Sequence, residues 1–302
     1  MKHTLLLFFL VLTLSAKTIT PNDVYAHTAL IQEHLKFLLK FYKIKHHHHK
    51  IINKTLLTSP VQPRDTWQKT FEILVKINIL RDRHGYTRIE PIGMEPIIDL
   101  NPSMVYGMAS RVLTELKIYE MREEISVPKF KLKHFSNKTP LDVFNNLSHI
   151  SASFDELNHS EPSASYIFSE SMRIYDDLTI ILRYLSLQDN TIPTKRLKSA
   201  NIKDVEQIAL KMLDTIQSFQ RIAGIKVTNL SQLVKKNSSR SDIYTFIGIL
   251  LAELQPIKAH IGLTKSVTPP GLTYERKTIA DVEQLMQWNL KKLSLIKNMD
   301  RR

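Results

Sequence analysis

The chain has 302 residues, of which 43% are hydrophobic and only 7 are glycine, a composition typical of a helical globular protein. Its 42 Lys and Arg against 29 Asp and Glu give a net charge of +13, which indicates an anionic partner or an ordinary solvated basic surface. The absence of cysteine excludes disulfide bonds and thiolate metal sites.

Residues 1–16 have the pattern of a secretory signal peptide. Lys2 precedes an apolar run over residues 5–14, and Ala16 ends the segment with a small residue suited to cleavage. This run is too short for a permanent membrane-spanning helix, and no later segment approaches that length. Because the chain also lacks cysteine, we expect an exported protein of a bacterial periplasm, either released by cleavage or anchored by the uncleaved segment.

Eight short motifs along the chain predict the starts of eight helices. In the clearest one, Thr139 caps the helix, Pro140 takes the first helical position, and Asp142 accepts a hydrogen bond from the amide of the cap. In chain order, the expected caps are Thr20, Gln62, Asn101, Thr139, Ser163, Asn201, Ser239 and Thr278.

One register of apolar residues fits all eight predicted helices. Counted from each cap, positions 4, 8, 11, 15 and 18 are mainly apolar, and this spacing places them on one face of a helix. The residues at position 11 are Ile31, Ile73, Val112, Ile150, Ile174, Met212, Leu250 and Asn289. The sequence therefore predicts an all-α fold of repeated helical units.

The spacing of the caps divides the chain into two sets of four helices. Consecutive caps lie 38 to 42 residues apart, except for the step of 24 between Thr139 and Ser163. We interpret the halves, residues 17–159 and 160–302, as an internal duplication, with a tight turn between them that makes helices four and five antiparallel.

Within each half, the predicted helices are joined by long connections of about twenty residues, well beyond the usual two to eight. An extended connection of this length can run back along a helix, so that neighbouring helices lie parallel with their capped ends together. Alternatively, each connection hides a short helix or strand, and the helices alternate in direction.

Aromatic residues recur at position 5 of six predicted helices. If the capped ends converge, these rings can line a pocket for a small ligand; otherwise they widen the core. The six residues are Tyr25, Trp67, Tyr106, Phe144, Phe168 and Tyr244.

Four consecutive histidines form the one candidate metal site, made of His46, His47, His48 and His49. Neutral imidazoles bind divalent transition metals. The flanking Lys45 and Lys50 offer no partners that would fix the geometry of such a site, so an ordinary polar loop is the alternative.

The usual enzyme signatures are missing from the sequence. It has no Gly-flanked serine elbow, no His-Glu-x-x-His motif and no Gly-rich phosphate loop, and it predicts no cofactor. The repeated acids, such as Asp142, are explained as capping partners. Export and the lack of a basic stripe interleaved with aromatic residues argue against nucleic acid as a partner.

These observations favour a periplasmic, non-catalytic helical-repeat protein that binds a protein partner or an anionic component of the cell envelope. The alternative is a periplasmic protein that binds a small ligand or a metal, and a third interpretation is an enzyme whose active site is built from distant residues. No transmembrane span is expected after signal cleavage.

Overall fold

A computed structural model describes residues 18–44, 58–90, 93–97, 100–230 and 238–297. The predicted signal peptide and His46–His49 lie outside these residues. The described part of the chain contains eight α-helices and no β-strand, which confirms the all-α prediction. The helices are α1 (Pro21–Phe41), α2 (Pro63–Arg83), α3 (Pro102–Arg122), α4 (Pro140–Asn158), α5 (Ala164–Tyr184), α6 (Ile202–Ile222), α7 (Arg240–His260) and α8 (Ile279–Lys297).

Every helix begins directly after its predicted cap. At α4, the Thr139 backbone N–H donates to Asp142 Oδ2 at 2.8 Å, and the Thr139 hydroxyl accepts from the Asp142 N–H at 3.2 Å. These bonds satisfy backbone groups that have no partner within the helix. Side-chain bonds of this kind are present at seven of the eight helix starts, whereas Ser163 before α5 makes none.

The predicted apolar register forms the core. All sixteen residues at positions 11 and 15 of the eight helices are at most 1% exposed. One of them is polar: Asn289 of α8 donates from Nδ2 to the carbonyl of Ser171 at 2.9 Å. This bond partly offsets the cost of burying an amide in the core.

The first group of helices, α1 to α4, is parallel. α1 and α2 each pack against both α3 and α4. The first residue of each helix lines one small apolar pit at the end of the group, and these residues are Pro21, Pro63, Pro102 and Pro140. The capped ends therefore lie together, as the interpretation with extended connections requires.

The second group, α5 to α8, has the same arrangement of contacts: α5 and α6 each pack against both α7 and α8. The N–H of Lys277, just before α8, donates to Ser165 at the start of α5 at 3.1 Å. The hydroxyl of Ser238, just before α7, donates to Glu206 in the first turns of α6. These contacts place the starts of the helices side by side, so this group is also parallel.

The two groups run in opposite directions and meet through α2 and α7. Arg64, near the start of α2, binds Glu253 in the last turns of α7 at 2.7 Å. Lys76, late in α2, donates to Ser241 at the start of α7 at 3.1 Å. The reversal occurs at His159, whose left-handed backbone (φ 47°) ends α4 shortly before α5 begins.

Candidate ligand-binding cleft

A cleft of about 490 Å³ lies at the junction of the two groups. Its sides are α2, the beginning of α5 and parts of the connections that follow α2 and α7. This volume falls within the range of small-molecule sites in proteins.

The wall formed by α2 is mainly apolar, and Asn78 is its polar member. Phe71, Leu74 and Val75 line it, and Ile89 from the connection after α2 continues the same surface. These residues lie on a different face of α2 from Ile73 and Ile77, which belong to the core register. α2 is therefore apolar on two sides, one packed in the first group and one facing the cleft.

Two buried polar residues, Tyr244 and Glu170, also line the cleft. Tyr244 of α7 is 2% exposed, and no hydrogen bond joins its hydroxyl to another described residue. Burial and the nearby Glu170 carboxylate raise the pKa of Tyr244 well above its usual value, so the phenol stays neutral and can donate. Tyr244 therefore adds a hydrogen-bond donor to the residues that line the cleft.

Glu170 already has protein partners. It accepts from Gln68 Nε2 at 3.1 Å and from Arg173 Nη1 at 3.0 Å. Arg173 is itself buried and balances the charge of the carboxylate. The polar end of the cleft therefore offers hydrogen bonds with little net charge, which suits an uncharged polar group on a ligand.

The connections after α2 and α7 meet at the rim. Arg88 binds the Asp82 carboxylate through Nε and Nη2 at 2.8 Å, and its Nη1 donates to Thr273 Oγ1 at 3.0 Å. The Tyr166 hydroxyl donates to the same carboxylate at 3.1 Å. Burial and Asp82 raise the pKa of Tyr166 to about 12, so this hydroxyl remains a donor.

The wall formed by the connection after α7 is held on α5 by hydrogen bonds. Ser169 donates to the carbonyl of Leu272 at 2.7 Å, and Arg173 Nε donates to the carbonyl of Pro269 at 2.9 Å. Met94 and Thr268 exchange backbone hydrogen bonds at 2.8 and 2.7 Å, which joins this connection to the one after α2. The cleft is therefore largely formed before any ligand binds.

No protein family, curated protein or solved structure matches this chain.

The six aromatic residues predicted at position 5 lie in different surroundings. Tyr244 lines the cleft, Trp67 stacks on the cleft residue Phe71, and Phe144 is buried in the core. The other three contact neighbouring rings: Tyr25 meets Phe135, Tyr106 meets His27, and Phe168 meets Tyr274. Among the described residues, no ring contact joins two of the six.

The sequence does not predict the cleft walls, because the residues that form them come from distant parts of the chain. One signal was available: the apolar residues of α2 extend beyond the predicted register at Phe71, Leu74 and Val75. A helix that is apolar on two sides packs each side against another part of the protein, or packs one side and offers the other to a ligand.

Metal binding has no support among the described side chains. No group of three or more His, Asp and Glu residues in this part of the chain could hold a metal ion. The predicted metal ligands His46–His49 lie outside it.

A polar cluster closes the carboxyl-terminal ends of α1, α2 and α3. His84 bonds to Glu123 through Nδ1 at 2.9 Å and to the hydroxyl of Tyr119 through Nε2 at 3.2 Å. The hydroxyls of Tyr42 and Tyr119 are 3.0 Å apart, and Tyr86 donates to Glu123. Because Tyr119 is buried at the centre, we assign this cluster to holding the helix ends together.

Proposed function

We propose that this chain is an exported, non-catalytic protein that binds a small amphipathic molecule in the cleft between its two groups of helices. The observation that carries the proposal is the position of Tyr244, a buried residue with a neutral hydroxyl that lines a cleft with a mainly apolar wall. A ligand with an apolar body and a hydrogen-bond acceptor fits this combination of an apolar wall and a neutral donor. Export is supported by the pattern of residues 1–16.

We further infer that the two groups of helices are copies of one four-helix unit. A buried pair recurs at the same positions of both groups. His34, at position 14 of α1, binds Glu120, at position 19 of α3, at 2.8 Å. Asp177, at position 14 of α5, binds Lys258, at position 19 of α7, at 2.7 Å. The acid and the base have exchanged places while the contact is kept.

A second recurring pair supports the same inference. Arg81, at position 19 of α2, binds Glu115, at position 14 of α3, at 2.7 Å. Gln220, at position 19 of α6, donates to Glu253, at position 14 of α7, at 2.6 Å. Two independent pairs at matching positions favour duplication over coincidence. The cleft then lies where one copy meets the other.

Contact with an anionic component of the envelope or with an acidic protein partner is a second candidate function. It is favoured by the net charge of +13 and by lysines at the carboxyl-terminal end of α1 and in the connection after α3. It requires no cleft, so it is compatible with ligand binding.

Replacing Val75 with Trp tests the ligand-binding proposal because the larger ring fills the cleft from its α2 wall. The matched control is Thr114→Trp, at position 13 of α3 as Val75 is of α2, but exposed. Native mass spectrometry of protein isolated without a tag should show one added mass on the wild type and on Thr114→Trp, and none on Val75→Trp. The same added mass on Val75→Trp would contradict the proposal.

A further inference from the structure

The connection after α3 runs back along the outer side of α1. The Phe130 ring lies 5.1 Å from His34 and 6.5 Å from Phe37, measured between ring centroids. Further along, the N–H of Lys138 donates to Asn22 Oδ1 at 2.8 Å, near the start of α1. α1 and this connection therefore form one continuous surface.

This surface, which we name the basic face, consists of residues 33–43 and 127–138. Residues 129–133 read Lys-Phe-Lys-Leu-Lys, and Phe130 packs on α1 while the three lysines are exposed. The only acid in the two segments is Glu33, which contacts Lys133 at 3.4 Å. The lysines of the basic face are Lys36, Lys40, Lys43, Lys129, Lys131, Lys133 and Lys138.

Two large apolar side chains are exposed among these lysines. Phe41 is 53% exposed and Leu132 is 49% exposed. The Phe41 ring lies 6.4 Å from Phe37, which is itself in contact with Phe130. Lysines around exposed aromatic and aliphatic groups are typical of surfaces that rest on a bilayer, where charges meet headgroups and apolar side chains enter the interface.

We propose that the basic face docks on a bilayer that contains anionic lipids. Seven lysines against one glutamate supply the charge complementarity, and Phe41 with Leu132 supplies an apolar contact that a purely electrostatic encounter with an acidic protein does not need. The surface lies on α1 and the connection after α3, none of whose residues lines the cleft, so the proposal does not depend on ligand binding there.

Sedimentation with lipid vesicles tests this docking. The isolated protein should bind vesicles of phosphatidylcholine with about 30% phosphatidylglycerol and leave pure phosphatidylcholine vesicles unbound. Binding should weaken as sodium chloride rises from about 0.05 M to about 0.5 M, because salt screens exposed charges. The triple variant Lys129→Glu, Lys131→Glu, Lys133→Glu should partition onto the anionic vesicles at least about tenfold more weakly than the wild type.

The matched control reverses three exposed lysines away from the basic face, Lys195→Glu, Lys198→Glu and Lys203→Glu, with the same change of net charge. It should keep most of the binding. Equal losses in both triple variants, or no binding to the anionic vesicles, would overturn the proposal. Binding to soluble polyglutamate without binding to vesicles would also overturn it and identify an acidic protein as the partner. The variant Phe41→Ser with Leu132→Ser should weaken vesicle binding without changing its salt dependence.

Discussion

Asp142 shows how one side chain fixes the start of a helix. Its carboxylate accepts from both the backbone N–H and the hydroxyl of Thr139, at 2.8 and 2.7 Å. The cap of α8 repeats this geometry, where the N–H of Thr278 donates to Asp281 at 2.8 Å. The recurring acids are therefore explained by backbone chemistry without invoking a ligand.

Replacing Asp142 with Ala should lower the free energy of unfolding by about 0.5–2 kcal/mol, because the Thr139 N–H loses its acceptor. Urea unfolding measures the loss. The control is Asp214→Ala, on the exposed side of α6 and away from a cap, for which we expect a change within about 0.5 kcal/mol. Ligand binding in the cleft should be unchanged in both variants. Reduced binding with unaltered unfolding would show that Asp142 has a functional role.

Among the helices, α2 and α7 differ from the others in having neighbours on several sides. Fifteen of the 21 residues of α2 are buried, compared with eight of the 21 in α1. The apolar residues of α7 around Leu250 cover nearly its whole circumference, a sequence pattern typical of a central helix. The pattern of α2 indicates this only in part: its apolar residues extend beyond the register, but Lys69, Glu72 and Lys76 resemble a solvated face.

Helix starts could be predicted from the sequence because caps act over three or four residues. The polar face of α2 could not be assigned, since a charged side chain can be satisfied by water or by partners from α4 and α7. The residues at which helices end were also difficult to predict from the sequence. Glycine marks the left-handed closing residue at Gly85, Gly224 and Gly262, but four other helices close on non-glycine residues, which are Lys43, Glu124, His159 and Ser186.

The contact between α2 and α7 predicts opposite effects for two Gly-to-Ala substitutions. In α7, a Cβ on Gly248 would lie 2.6 Å from Gln68 Nε2, the group that binds Glu170. We expect Gly248→Ala to lower the free energy of unfolding by about 1–3 kcal/mol through overpacking. In α3, nothing lies within 4 Å of a Cβ on Gly107. Gly107→Ala should therefore stabilise the protein by about 0.5–1 kcal/mol through helix propensity.

Thermal or urea unfolding of the two glycine variants distinguishes packing from propensity. A stabilising effect of both substitutions would mean that α2 and α7 are not in close contact at Gly248.

For the molecule as a whole, a buried charged network joins the two groups of helices. Lys69 binds Glu72 at 2.8 Å, and Lys76 binds Asp155 of α4 at 2.7 Å. Thr245 of α7 donates to Glu72 at 2.6 Å. Burying charges costs hydration energy, so the network adds less stability than its bonds suggest, but it penalises any other alignment of the two groups.

The candidate cleft depends on this long-range assembly, which explains why only one of its residues, Tyr244, was among the predicted site residues. Arg88 and Thr273, which meet at the rim, are separated by 185 residues. Periodicity in one sequence assigns residues to helix faces, but it does not show which faces of two four-helix groups meet.

Two acids of α2 at the contact with the second group should respond to pH in opposite directions. Burial alone would raise the pKa of Glu72, but the ammonium groups of Lys69 and Lys76 outweigh burial and lower the pKa from 4.5 to about 2. Burial and the Glu253 carboxylate raise the pKa of Asp65 well above 3.8, and Arg64 offsets this only in part. Ionised Glu72 therefore stabilises the folded chain, whereas ionisation of Asp65 destabilises it.

The contribution of Glu72, on the order of 3 kcal/mol, should be complete above pH 4.5 and lost as the pH falls through about 2. The difference in unfolding free energy between wild type and Glu72→Gln should therefore narrow in urea titrations from about pH 6 to about pH 2. For Asp65→Asn the sign reverses. Protonated Asp65 is the favoured folded form, so the wild type should lose stability relative to this variant as the pH rises above 3.8. If the curves of unfolding free energy against pH stay parallel to that of the wild type for both variants, neither carboxyl has a perturbed pKa. This contact between the two groups would then not be buried as described.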